Sequence, residues 1–299
     1  MSSSTPTRLI LRLAGALPLR ILFSLTRGLA RLSRLRDTKA EAITRVNLDI
    51  CFPGLAAEAR EALVRSSLDH DALTLAECAP FYTRPGSHLS ALVDTPDQAV
   101  LDAALSEGKG VLLCAPHFGA WELLGQVLSQ RYPLHVLYKP SKRQAIDDVL
   151  IPGRTRFGAT LHPTNAAGVR GMHRALAANG LVSILPDQEP DTSGGEFSPF
   201  FGEPALTMTL LNRLARKRQV PVLLAAAVRD LTTHRYTFVY RRIDAAIHSA
   251  DTHTALSAMN QAIESLVREH PAQYIWSYRR FQSMVDGNRR DYRWYGERP

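Results

Sequence analysis

Short apolar runs alternate with segments of helical periodicity along most of this chain, and this alternation limits the folds that it can adopt. The run Val111 to Ala115 lies between a glycine turn and Pro116 and is too short for a helix, so we expect a buried strand there. Buried strands that alternate with helices are typical of parallel sheets. The pattern therefore predicts an α/β fold with a mostly parallel central sheet and helices on both faces.

The same reasoning places the other elements. We expect helices at 58–82, closed by Pro80, and at 97–106, 120–130, 143–151, 168–178, 207–217 and 255–269. Further strands are expected at 134–138, 181–185, 220–228 and 235–240. Because no repeat and no Gly-, Ser- or Pro-rich linker divides the body, we predict a leading segment at 1–36 and one domain at 37–299.

Most of the excess positive charge lies in the leading segment. Residues 1–36 hold seven arginines and no acidic residue, whereas residues 37–278 carry 23 basic and 25 acidic side chains. A nucleic-acid-binding domain is expected to carry its basic charge on the folded body. The nearly neutral body therefore predicts that nucleic acid is not a partner.

The arginines and leucines of the leading segment fall on opposite sides of a predicted helix. With Arg20 at zero and successive residues about 100° apart, Arg27, Arg31 and Arg34 lie within about 40°, and Leu22, Leu25, Leu29 and Leu32 lie near 160°. Arginines limit the uncharged runs to 13–19 and 21–26, and Arg20 and Arg27 would both lie inside any spanning window, so we expect neither a signal peptide nor a spanning helix. The pattern is typical of an amphipathic helix on an anionic membrane surface. A helix that docks its leucines on the body, and a nucleic-acid arm, are the alternatives.

The sequence contains no sign of a metal or cofactor site. Cys51, Cys78 and Cys114 are widely spaced, which predicts neither disulfides nor zinc binding and suits a reducing compartment. The histidines lack metal-ligand spacing, and no dinucleotide or P-loop motif occurs. We therefore expect no metal and no cofactor, and a location on the cytoplasmic side.

His117 and Glu122 follow the first predicted strand. Within one helix they would point about 140° apart, so we expect His117 in the turn and Glu122 in the first helical turn. A carboxylate bonded to one imidazole nitrogen makes the other nitrogen a better base. Because α/β folds bind ligands at the carboxyl ends of strands, we predict a catalytic pair, with a structural histidine as the alternative.

Three further residues are candidates for binding substrate. Arg154 and Arg156 lie two apart in a glycine-bounded segment and suit forked contacts with phosphate, although a solvated surface pair has the same spacing. Asp187 follows another predicted strand and is expected beside His117 or the substrate. Its alternative role is to cap the loop at 191–195.

Several strings of the chain agree with one family. In chain order they are Asn47–Leu55, His117–Glu122, Gly153–Gly158, Leu185–Glu189, Pro199–Gly202 and Gln273–Trp276. Together they resemble the late acyltransferases of lipid A biosynthesis, the lauroyl/myristoyl acyltransferase family of the glycerolipid acyltransferase superfamily. The sequence departs from that family at Tyr278, where a histidine is usual, and in its arginine-rich leading segment.

The resemblance implies an enzyme of lipopolysaccharide and lipid metabolism. It implies transfer of an acyl chain from acyl carrier protein, or from acyl-CoA, to a hydroxyl of a lipid A precursor, with His117 as general base beside Glu122. The expected location is the cytoplasmic face of the cell inner membrane, as a peripheral or monotopic protein. The alternatives are a different glycolipid acceptor, such as a phosphatidylinositol mannoside or an ornithine-type lipid, and a catalytically silent lipid-binding relative.

Overall fold

The structure is a computed structural model that describes residues 4–33, 38–141 and 143–293, without the side chains of residues 4–8 and 33. Its helices are α1 (Ser4–Ala16), α2 (Leu19–Ser33), α3 (Lys39–Cys51), α4 (Ala57–Thr83), α5 (Gly86–Ser90), α6 (Gln98–Ser106), α7 (Trp121–Leu128), α8 (Gln144–Thr155), α9 (Ala166–Ala177), α10 (Leu210–Arg218) and α11 (Thr252–Glu269). Its strands are β1 (Val93–Asp94), β2 (Val111–Cys114), β3 (Leu134–Tyr138), β4 (Thr160–Pro163), β5 (Leu181–Ile184), β6 (Gly195–Phe200), β7 (Glu203–Met208), β8 (Val222–Asp230) and β9 (Arg235–Arg242).

The chain divides into two compact units. The first consists of Met1–Ser24, Thr74–Leu185 and Arg218–Arg242, and the second of Leu25–Leu73, Pro186–Lys217 and Ile243–Pro299. The predicted boundary between 36 and 37, together with Arg34 of the arginine stripe, lies outside the described residues. The division into a leading segment and one domain stays a prediction.

The first unit contains a seven-stranded sheet in the order β1-β9-β8-β2-β5-β3-β4. Every pair of neighbours is parallel except β8 and β9, which are antiparallel. The four residues of β2, between β8 and β5, are completely buried, as a central parallel strand must be. The predicted α/β fold, with a mostly parallel sheet flanked by helices, is confirmed.

Two helices run through an internal proline. The prediction that Pro80 closes its helix is wrong, because α4 continues to Thr83. Similarly, α8 runs through Pro152 to Thr155, past the predicted end at 151. A proline removes one helical hydrogen bond, but Pro80 is buried, and packing can stabilise a helix through such a position. As a result, the last turns of α4 and α8 carry Tyr82 and Arg154.

Four strands escaped the sequence analysis. β1 and β4 are short edge strands, and β4 has exposed ends and two partly buried middle residues, so neither contains the apolar run that signals a strand. In the second unit, β6 and β7 form an antiparallel hairpin. The helix predicted at 207–217 begins only at Leu210, because Thr207 and Met208 belong to β7.

Asn47 of α3 connects distant parts of the second unit. Its side-chain amide donates to the backbone carbonyls of Trp276 and Tyr278, both at 2.7 Å. Its carbonyl oxygen accepts from the Tyr292 hydroxyl at 3.0 Å. Trp276 is completely buried, so these bonds also satisfy backbone groups that cannot reach water.

The helix α2 is amphipathic as predicted, but its apolar residues divide into two groups. Leu19, Leu22 and Phe23 are buried, so Leu22 is not exposed although the helical period groups it with Leu25, Leu29 and Leu32. Ile21, Leu25, Leu29 and Leu32 are 41% to 68% exposed, and we call them the exposed stripe. Arg20 and Arg31 are exposed, and Arg27 pairs with Asp69 at 3.3 Å.

No single helix among the described residues has the length and hydropathy to cross a membrane. The segments Leu9–Ala16 and Leu19–Leu32, bent by 116° at their junction, meet those criteria only when taken together.

A buried ion pair ties α4 to the sheet of the first unit. Arg229 of β8 donates from Nε and Nη2 to the two carboxylate oxygens of Glu77, both at 2.6 Å. The Tyr236 hydroxyl donates to the same carboxylate at 2.7 Å. Neither charged side chain has any solvent exposure, so each charge depends on the other for compensation.

We expect Glu77→Gln to lower the free energy of unfolding by about 3 to 5 kcal/mol, because it leaves the Arg229 guanidinium buried without a counter-charge. Urea denaturation followed by circular dichroism measures the change. Asp94→Asn is the control, because it removes the exposed Asp94–Arg235 pair and should leave the midpoint almost unchanged. Wild-type stability in Glu77→Gln would contradict the interpretation.

Candidate active site

The turn between β2 and α7 carries His117, and the first turn of α7 carries Glu122, as the spacing predicts. The Phe118 N–H donates to the Pro116 carbonyl at 2.7 Å, and Gly119 has a φ of +58°, a conformation that favours glycine. The His117 ring packs edge-on against Trp121, with centroids 5.2 Å apart. His117 is partly exposed at the end of the central strand β2.

The carboxylate of Glu122 accepts hydrogen bonds from two other elements. Arg154 donates from Nε to Oε1 at 3.2 Å and to Oε2 at 3.1 Å, and its Nη2 also donates to Oε1. The Tyr82 hydroxyl donates to Oε2 at 2.7 Å. Both carboxylate oxygens are therefore held in a defined orientation next to the His117 turn.

Glu122 is held as a carboxylate although it is buried. Burial by itself raises the pKa of Glu122, but the net shift is downward because the Arg154 charge, the hydrogen bonds from Arg154 and Tyr82, and the charge of His117 stabilise the anion. Burial likewise lowers the pKa of Arg154, yet Glu122 reverses the shift and raises it. At neutral pH the site thus contains a fixed anion that interacts with the His117 imidazole.

Tyr82 is a site residue that the sequence analysis missed. It lies in the last turn of α4, beyond the proline that was expected to end the helix. Burial, followed by the charge of Glu122, raises its pKa, so the phenol stays protonated and can donate. No motif distinguishes this tyrosine, and only the continuation of α4 brings it to Glu122.

Cys78, on the same helix, is not activated as a nucleophile. Burial raises the pKa of its thiol to about 12, and the charges of Glu122 and Glu77 act in the same direction. A thiolate is the reactive form of cysteine. The Cys78 thiol therefore stays in its protonated, unreactive form at neutral pH.

The two candidate arginines have different partners. Arg154 binds Glu122, whereas Arg156 donates from Nη1 to the Phe81 carbonyl at 3.0 Å and from Nη2 to the Arg84 carbonyl at 2.7 Å. Burial lowers the pKa of Arg156. Arg156 thus binds backbone carbonyls at the end of α4. That either arginine contacts phosphate stays a prediction.

Asp187 belongs to the second unit, three residues after the end of β5. It is 2% exposed and hydrogen-bonded to the Tyr274 side chain, whose pKa is raised by burial and by the charge of Asp187. These contacts identify a buried polar pair. A substrate-binding role for Asp187 stays a prediction.

Within the described ranges, no group of three or more histidine, cysteine, aspartate and glutamate side chains is arranged to hold a metal ion. The arrangement of His117 and Glu122 is capable of acid–base chemistry, because an anion beside an imidazole can stabilise its protonated form.

Comparison with known proteins gives a match over almost the whole chain. A family model described as bacterial lipid A biosynthesis acyltransferase matches residues 8–283. The chain is 28% identical over 275 residues to the lipid A biosynthesis palmitoleoyltransferase of Escherichia coli (strain K12). The alignment covers 91% of this chain and 88% of the relative.

Two other enzymes of the same organism are similar over comparable lengths. Identity to its lipid A biosynthesis myristoyltransferase is 25% over 269 residues, with 89% of this chain and 83% of the relative covered. Identity to its lipid A biosynthesis lauroyltransferase is 24% over 280 residues, with 93% of this chain and 90% of the relative covered. All five candidate site residues lie inside the matched region.

We expect Glu122→Gln to lower the free energy of unfolding by about 3 kcal/mol at pH 7, because Arg154 loses its counter-charge. Since the folded-state pKa of Glu122 lies below its ordinary value of 4.5, this stabilisation is present above that pH and is lost as the pH falls through the folded-state value. Urea denaturation of both proteins from pH 7 to pH 3 should show the difference shrinking. A difference independent of pH would count against a charged Glu122.

Proposed function

The chain belongs to the bacterial lipid A biosynthesis acyltransferase family, and on this basis we propose that it transfers a fatty acyl chain from an acyl thioester to a hydroxyl of a lipid A precursor or a related glycolipid. The observation that carries the proposal is the ionised Glu122 beside His117 at the end of the buried strand β2. Such a pair needs no protein nucleophile when the acceptor itself supplies the hydroxyl.

In the proposed reaction His117 is the general base. It takes the proton of the acceptor hydroxyl while that oxygen attacks the thioester carbonyl carbon. The tetrahedral intermediate then collapses, the carbon–sulfur bond breaks, and His117 returns the proton to the leaving sulfur. Glu122 stabilises the transient imidazolium, and the interaction of the two groups already lowers the pKa of Glu122.

The start of α7 is the proposed site for the oxyanion. The first hydrogen bond of this helix runs from the Leu123 N–H to the Ala120 carbonyl at 2.9 Å, so the N–H groups of Trp121 and Glu122 precede the helical ladder. Free N–H groups and the helix dipole favour a developing negative charge. Arg154, 25% exposed at its side chain, adds a positive charge close to Glu122 and is available to a phosphate of either substrate.

Acyl carrier protein is the proposed acyl donor, with acyl-CoA as the alternative. Arg154 and Arg156 are proposed to bind phosphate groups, and Asp187 is proposed to bind substrate. The relatives are named for three different acyl chains. Transfer assays with labelled acyl carrier protein and acyl-CoA of several lengths, and a lipid A precursor as acceptor, distinguish these donors. Mass spectrometry of lipids from cells with and without the gene identifies the acceptor.

We expect His117→Ala to lower kcat/KM about a hundred- to ten-thousandfold, because general-base catalysis contributes on that order. Glu122→Gln should also lower kcat, since the imidazolium loses its counter-charge. The exposed His88 provides the control, and His88→Ala should keep wild-type kinetics. Full activity of a folded His117→Ala enzyme would exclude the mechanism, and absence of transfer by the wild type would favour a silent lipid-binding protein.

We also propose that the protein lies on the cytoplasmic face of the inner membrane through α1 and α2. The exposed stripe of α2 presents three leucines and an isoleucine to the outside, and Leu9, Ile10 and Leu13 of α1 are exposed as well. Arg20 and Arg31 lie exposed beside the stripe. Apolar side chains flanked by arginines match the boundary between acyl chains and anionic headgroups.

We expect the triple variant Leu25→Ser, Leu29→Ser and Leu32→Ser to weaken binding to vesicles of anionic lipid at least about tenfold, because each buried leucine contributes about 1.5 to 3 kcal/mol. Vesicle co-sedimentation measures the affinity. Leu75→Ser is the matched control, since Leu75 is 78% exposed but lies on α4. Equal binding of the triple variant and the wild type would show that the stripe does not insert.

A further inference from the structure

The carbonyl of Gly119, in the His117 turn, accepts two hydrogen bonds from outside that turn. Thr74 Oγ1 donates to it at 3.2 Å, and Arg229 Nη2 donates to it at 3.2 Å. The N–H of the same peptide group, on Ala120, donates to the Ala227 carbonyl at 2.9 Å. The peptide plane between Gly119 and Ala120 is therefore held at both ends.

This peptide plane lies between the two parts of the proposed catalytic centre. His117 precedes Gly119 by two residues, and α7 begins at Trp121, two residues after it. The neighbouring Phe118 is completely buried, so the turn has little freedom on that side. Rotation of the Gly119–Ala120 peptide would displace both the His117 side chain and the N–H groups at the start of α7.

Arg229 is well suited to hold a carbonyl in a constant position. Its guanidinium is fixed by the two oxygens of Glu77, and its Nη2 also donates to Thr74 Oγ1 at 3.0 Å. Glu77 in turn accepts from Tyr236. The Glu77 carboxylate balances the charge of Arg229 and fixes its guanidinium. Nη2 therefore donates to the Gly119 carbonyl from a fixed position.

We propose that Arg229 and Thr74 are positioning residues for acyl transfer, which hold the Gly119–Ala120 peptide and thereby align His117 with the oxyanion donors of α7. This inference rests on the proposed function of His117 and adds two residues that do not touch the substrate. Misplacement of a catalytic group by about 1 Å can cost about a hundredfold in rate, so a bond to the backbone of the turn has a kinetic effect beyond its contribution to stability.

The test compares two substitutions of Thr74. Thr74→Val keeps the branched shape but removes the hydroxyl that donates to Gly119, whereas Thr74→Ser keeps the hydroxyl. We expect Thr74→Val to lower kcat about tenfold with KM for donor and acceptor almost unchanged. Thr74→Ser should return kcat to within about threefold of the wild type.

Arg229→Lys is the second variant, because a lysine can pair with Glu77 but lacks the planar fork that reaches Gly119 at the same time. We expect a loss in kcat of about tenfold to a hundredfold, again without a matching change in KM. Leu101→Ala is the stability control, since Leu101 is a completely buried residue of α6 outside this network. Measured where circular dichroism shows every variant folded, Leu101→Ala should keep the wild-type kcat.

The outcomes separate this inference from the proposed function when His117→Ala is assayed alongside. Wild-type kcat in Thr74→Val and Arg229→Lys, with His117→Ala inactive, overturns the positioning role alone. An equal kcat loss in Thr74→Ser and Thr74→Val also overturns it, because the hydroxyl would then be irrelevant. Full activity in His117→Ala overturns the proposed mechanism, and the positioning role with it.

Discussion

The carboxylates of Glu77 and Glu122 in the first unit are buried, and the geometry around the candidate site follows from the cations and donors that stabilise these two charges. Burial of a lone carboxylate costs several kcal/mol, and removal of its partner leaves that cost unopposed. Glu77 is compensated by Arg229 with no solvent exposure on either side chain, and Glu122 by Arg154 with Tyr82 as a further donor. The first pair connects α4 to β8, and the second connects α7 to α8.

The helix α4 takes part in both arrangements. Glu77 and Thr74 on this helix lie at Arg229 and the Gly119 carbonyl, and Tyr82 in its last turn reaches Glu122. Arg156 binds the carbonyls at the end of the same helix. The turn that carries His117 is therefore held at Gly119 and at Glu122 by one helix.

The strands and helices of the central sheet could be predicted from the sequence because their signals are local. The apolar run of β2 and the turn at Gly119 placed His117 and Glu122 correctly. The edge strands β1 and β4 lack such a run, and the passage of α4 through Pro80 depends on packing that a single segment does not encode. The site was predicted only in part, because no local pattern indicates that Tyr82, inside the predicted helix at 58–82, donates to Glu122.

By itself, the sequence determined the alternation of elements, the position of His117 and Glu122 just after a buried strand, and the amphipathic period of α2. Only the tertiary structure decided which leucines of α2 are buried, and which cation each carboxylate binds. Arg154 lies 32 residues from Glu122, and Arg229 lies 152 residues from Glu77. Local periodicity depends on the geometry of one helix or strand, whereas an ion pair between distant residues depends on how those elements pack.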